Sequence, residues 1–139
     1  MKRSICFGIL NLILLGGLFV ACTKESGSDP EPTDNRSAFT GRWNVSETYT
    51  KLSYEVNIVA DPTSTDGVFI YNFGNTGSSG VPAGASINEK TITLDPDQVI
   101  GEGWTINGSG NMSGTKIYWN YTLNDGATLI YAIATYTKQ

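Results

Sequence analysis

Histidine is absent from this 139-residue chain, and its two cysteines, Cys6 and Cys22, both lie near the amino end. Without an imidazole the chain lacks the commonest general base and transition-metal ligand, and no side chain titrates near neutrality at its ordinary pKa. Triads built on histidine are excluded. Beyond Cys22 there is no thiol, so no disulfide framework can hold the remainder and a buried core must do so. Charge is sparse, with nine basic and thirteen acidic residues and a net charge of −4. The clustered Lys and Arg that neutralise phosphates are missing, so nucleic acid is not an expected partner. No stretch after the leader carries an apolar stripe at helical period.

Carboxylates are the remaining route to catalysis, since a pair flanking a cleft suffices for glycoside hydrolysis. Glu47, Glu55, Glu89 and Glu102 are scattered, however, and those on strands alternate with apolar residues as a solvated face does. No enzyme is expected. Asp61 to Asp66, Asp95-Pro96-Asp97 and Asn124-Asp125-Gly126 offer oxygen ligands for calcium. None has EF-hand spacing, and Asp, Asn, Pro and Gly are what tight turns require. The expectation is no metal and no cofactor.

What the chain does have begins with Lys2-Arg3 and an apolar run from Ile5 to Ala21, interrupted by Asn11 and Gly16-Gly17. A basic start, an apolar middle and a small-residue end form an export signal. Phe19-Val20-Ala21-Cys22 closes it and resembles the lipobox of bacterial lipoproteins, with Phe19 where Leu is usual. That resemblance implies a signal peptide over 1–21 and a diacylglyceryl group on the Cys22 thiol. Two or three acyl chains hold a protein where one holds it only marginally. Thr23, in place of an inner-membrane-retaining Asp, implies a lipid-anchored protein of the outer membrane, on its periplasmic or its outer side. Residues 22–36 then read as a tether, because from Thr23 to Arg36 nothing aliphatic or aromatic is available to bury.

The remaining 37–139 read as a single all-β domain. Trp43, Val45 and Tyr49 share a face at period two, as do Leu52, Tyr54, Val56 and Ile58. Val68 to Phe73 is bulky on both faces, and Val81, Ala83, Ala85 and Ile87 lead through Asn88-Glu89-Lys90 to Thr91–Leu94, a short hairpin. Gly101, Gly103, Gly108, Gly110 and Gly114 crowd the next stretch and predict bends. Ile117, Trp119, Tyr121 and Leu123 alternate before Asn124-Asp125-Gly126, and Leu129–Ala134 closes the chain.

Short strands joined by tight connections suit a small up-and-down meander barrel. The alternative is an immunoglobulin-like β-sandwich, which needs a long crossing between sheets. The triplet Gly41-Arg42-Trp43 on the first strand, after a possible turn at Ser37–Thr40, resembles the lipocalin and wider calycin signature. In that family the Trp plugs one barrel end and a basic residue of the last strand packs over it, which implies barrel-closing roles for Trp43 and Lys138. The domain is shorter than a typical lipocalin and lacks the other motifs. The region from Ser37 to Gln139 also resembles small lipocalin-like lipoproteins of Gram-negative bacteria.

Three Trp and seven Tyr remain as material for a binding site. If Tyr54, Tyr71, Trp104, Trp119 and Tyr131 converge on the barrel mouth, they would hold a small apolar or amphipathic ligand. If instead they fill the core, the outer surface is left to bind a protein or a glycan at the cell envelope. An eight-stranded barrel is at the size where either outcome is possible.

Overall fold

The structure, a computed structural model, describes residues 34–139. The leader, Cys22 and the tether up to Thr33 lie outside the described residues. The described chain is all-β, with nine strand segments: β1 (Gly41–Glu47), β2 (Ser53–Ala60), β3 (Gly67–Tyr71), β4 (Ala83–Asn88), β5 (Thr91–Leu94), β6 (Gln98–Ile100), β7 (Trp104–Ser113), β8 (Lys116–Asn124) and β9 (Leu129–Lys138). Each pairs antiparallel with its chain neighbour except across the β5–β6 break, and β1 pairs with β9 to close the ring. β5 and β6 lie end to end along one edge of β7, at Ser109–Asn111 and Trp104–Ile106. The result is a closed eight-stranded up-and-down barrel whose connections never cross, which rules out the sandwich.

Alternation places the core. Trp43 and Val45 of β1, Val56 and Ile58 of β2, Val68 and Ile70 of β3, and Ile117, Trp119, Tyr121 and Leu123 of β8 all point inward and are buried. Two expected members of these faces do not. Tyr49 and Leu52 are 54% and 56% exposed, because β1 ends at Glu47 and the turn to β2 carries both past the barrel rim. The inward position next to the rim is taken by Glu47, 4% exposed.

The last hairpin shows how the interior is filled. β8 and β9 pair Trp119 with Ala134 and Tyr121 with Ala132, so each bulky inward side chain of β8 faces a small one of β9. Across the other edge of β8, Trp119 pairs with Gly110, where any Cβ would come within 2.8 Å of the indole carbons. Gly110 is therefore the space in which the indole lies. Layers of large and small residues reach interior packing density without strain. Bulky side chains of β9 are pushed outward in consequence: Leu129, Tyr131 and Ile133 are all exposed.

One barrel end is closed by a 3-10 turn over Asn35–Ala38. Gly41, at φ +117°, adopts a backbone that L side chains avoid and lets the chain turn into β1. Phe39 is buried, and its carbonyl accepts from Trp43 Nε1 at 2.7 Å. Arg36, at the end of the stretch read as tether, donates through Nη1 to the carbonyls of Asp61 and Ser64 in the β2–β3 connection.

Candidate functional site

The expected site residues do not come together. Trp119 is wholly buried, stacked edge-on to Phe73 at 5.3 Å between ring centres and tilted against Tyr136 at 5.6 Å. Tyr54 points inward from β2 and is half-buried; Tyr71 lies on the outer face of β3; Trp104 sits inward at the start of β7, near the rim. Tyr131 stands on the outer face of β9 and is 76% exposed. Its neighbours Ile130 and Ala132 are the inward ones. Strand parity separates the five, since residues an odd number apart on one strand face opposite ways.

Phe73 was not recognised as an interior plug from the sequence. Asn72 takes the left-handed conformation at φ +64°, which breaks the β3 alternation and swings Phe73 into the barrel, where it meets Tyr121 at 4.8 Å as well as Trp119. Asn is among the few non-glycine residues that tolerate that region, which was the available signal. Phe73, Trp119, Tyr121 and Tyr136 are thus in contact inside the barrel.

A polar cluster lies beside this aromatic nest. Tyr54 donates its hydroxyl to Glu47 Oε2 at 3.0 Å. Glu47 Oε1, the Tyr121 and Tyr136 hydroxyls and Trp119 Nε1 are buried without a protein partner. Burial pushes the hydroxyls of Tyr54, Tyr121 and Tyr136 well above the usual phenol range, and the Glu47 carboxyl pushes all three in the same direction.

At the barrel's closed end, Lys138 Nζ lies 5.2 Å from the centre of the Trp43 ring and donates to the Ala38 carbonyl at 2.6 Å. The ammonium thus ties the last strand to the capping turn across the indole face.

Two of the concave sites formed by the described residues bear on function. The smaller, about 180 Å³, sits at the rim between Tyr49, Thr50, Asn75, Thr76 and Trp104, with Leu123 and Ile130 beneath. The larger, about 490 Å³, is a solvent-open cleft on the outer wall of β7, β8 and β9, bounded by Tyr131, Ile133, Asn120, Thr122, Asn107 and Thr48. It falls in the size range of small-molecule sites. No charged side chain lines it. Among the described residues no cluster of three or more potential metal-ligating acidic side chains occurs.

The fold and surface define a small closed antiparallel barrel with a packed interior and a wall cleft. No family model matches the chain, and no curated protein matches it. Among solved structures it is similar to a redesigned β-barrel, at 14% identity and a TM-score of 0.49, over 76% of this chain and 96% of that one. It is also similar to a "putative outer membrane protein" of Bacteroides fragilis NCTC 9343, at 15% identity and a TM-score of 0.44. That match covers 76% of this chain and 53% of the other, so the chain spans about half its length. These likenesses are of overall shape and transfer no residue or ligand.

Proposed function

We propose that this chain is a non-catalytic, lipid-anchored protein of the outer membrane that engages its partner through the outer wall of β7–β9. The interior and the wall together carry this reading: Phe73, Trp119, Tyr121 and Tyr136 pack against one another inside the barrel, while a cleft of about 490 Å³ lies outside, beside exposed Tyr131 and Ile133. Support for the anchor is the leader ending in Phe19-Val20-Ala21-Cys22. Acylation at Cys22 followed by a polar tether would hold the barrel at the membrane surface and leave its wall free.

Growth with an alkyne-bearing fatty acid tests the anchor. Label is expected on the wild-type protein and none on Cys22→Ser; an unlabelled wild type removes the lipoprotein reading. For the wall, the purified full chain in detergent is expected to be retained by isolated envelope material. Tyr131→Ala with Ile133→Ser should lower that retention at least tenfold. Retention unchanged by these substitutions would assign the contact elsewhere.

A further inference from the structure

We infer that the wall cleft binds an uncharged saccharide, with Tyr131 as the stacking surface and Asn120 as the main hydrogen-bonding group. The inference rests on the outer-wall reading above and names its ligand class.

Three properties of the cleft select that chemistry. Its lining contains no Lys, Arg, Asp or Glu, so a phosphate, carboxylate or ammonium entering it would lose hydration without meeting an opposite charge. Its polar groups are amides and hydroxyls, which suit hydroxyl-bearing ligands because each can both donate and accept. Tyr131, 76% exposed, offers a flat apolar ring to the C–H face of a sugar, and Ile133 extends that surface.

The hydrogen-bond inventory shows which groups are free to serve a ligand. Asn107 is committed to Asp97, accepting from its backbone N–H and donating to its carboxylate at 3.3 Å. Thr122 donates weakly to the Asn107 carbonyl at 3.4 Å, and the Thr48 hydroxyl accepts from the Ile133 N–H at 3.1 Å. The Asn120 side chain makes no such bond in the described structure. Asn120 is directly opposite Ile133 on β9, and Thr122 opposite Tyr131, so the free amide stands diagonal to the ring. Diagonal neighbours on one sheet face are about 7–8 Å apart, a span that one sugar ring bridges with its face on the tyrosine and its hydroxyls toward the amide.

Other occupants fit less well. An apolar ligand would cover the Asn120 amide and the Thr48 hydroxyl without replacing their bonds to water. A peptide adding itself as a strand needs a long free sheet edge; on this wall β8 is paired along its whole length on both sides, and β9 lacks a neighbouring strand toward β1 only over Leu129–Ala132.

Calorimetric titration of the purified full chain in detergent with neutral oligosaccharides tests the inference: linear α- and β-linked glucans, a xylan and a mannan, alongside polygalacturonate as the acidic counterpart. Binding of at least one neutral glycan is expected, weakened at least tenfold by Tyr131→Ala and by Asn120→Ala. Val59→Ser on the opposite wall should leave it unchanged. All three positions are exposed and outward-facing, so circular dichroism should match the wild type. No binding to any neutral glycan overturns the saccharide inference. If Tyr131→Ala still abolishes retention on envelope material, the wall reading survives without it. Glycan binding indifferent to Tyr131→Ala removes the cleft as the site. Equal or tighter binding of polygalacturonate refutes the charge argument, and protease-sensitive retention points to a protein partner instead.

Discussion

Glu47 is the residue whose placement the sequence conceals most. In the alternation of β1 it falls on the inward side, yet a glutamate beside the turn reads as solvated. It is instead buried, with one carboxyl oxygen held by Tyr54. Tyr54→Phe is expected to lower stability by about 1–3 kcal/mol, because a buried acceptor left without its donor retains its full desolvation cost. Urea unfolding of the two proteins measures the difference; an unchanged midpoint would show that the carboxyl has another donor. Trp43 and Lys138 were more legible. The resemblance of Gly41-Arg42-Trp43 to the lipocalin signature implied that a basic residue of the last strand packs over the Trp, and Trp43 and Lys138 are register partners across the β1–β9 seam.

Among the elements, the broken strand formed by β5 and β6 is the least regular and the most informative. Asp95-Pro96-Asp97 interrupts it: four residues from Leu94 to Asp97 stand opposite two of β7. The ladder toward β4 is lost there, and the Gln98 side chain restores it. Its carbonyl oxygen accepts from the Gly84 N–H at 2.6 Å while its amide donates to the Gly84 carbonyl at 2.7 Å, as a backbone peptide would. Gln98→Glu keeps the acceptor and loses the donor. It is expected to cost about 1–3 kcal/mol and to raise hydrogen exchange at β4 before the rest of the barrel. Uniform exchange would show that the seam does not open separately. At the β7–β8 pair, Gly110→Ala is expected to destabilise by about 1–3 kcal/mol in the same urea assay, since the added methyl must displace the Trp119 indole from a filled core. The glycine-rich stretch was readable as bent, but that Gly110 faces an indole follows only from register.

For the whole molecule, the three inward-pointing tyrosines, Tyr54, Tyr121 and Tyr136, set how the barrel responds to alkali. Each has its hydroxyl raised above its ordinary value of about 10, so the folded state keeps protons that the unfolded chain releases. Their stabilising contribution is complete below about pH 10 and is lost as the pH rises beyond it, at up to about 1.4 kcal/mol per pH unit for each group. The urea midpoint is expected to fall steeply above that point, with the slope reduced in Tyr121→Phe. A pH-independent midpoint would mean that these hydroxyls ionise freely in the folded barrel. Composition and period-two alternation determined much of this molecule in advance: an all-β domain without thiols, its strands in meander order, and the inward faces of β1, β2 and β8. Those are local properties, because a strand records in its own residues which side meets water. The use of the barrel was decided only by tertiary contacts. In Leu129–Ala134 both faces are apolar, so alternation names no inside. Trp119 and Tyr121 across the hairpin, together with Phe73 dropped in by a left-handed Asn72, occupy the interior and leave room only for Ala132 and Ala134. Volume exclusion between strands that meet only on folding therefore turned Tyr131 outward and placed the cleft on the wall.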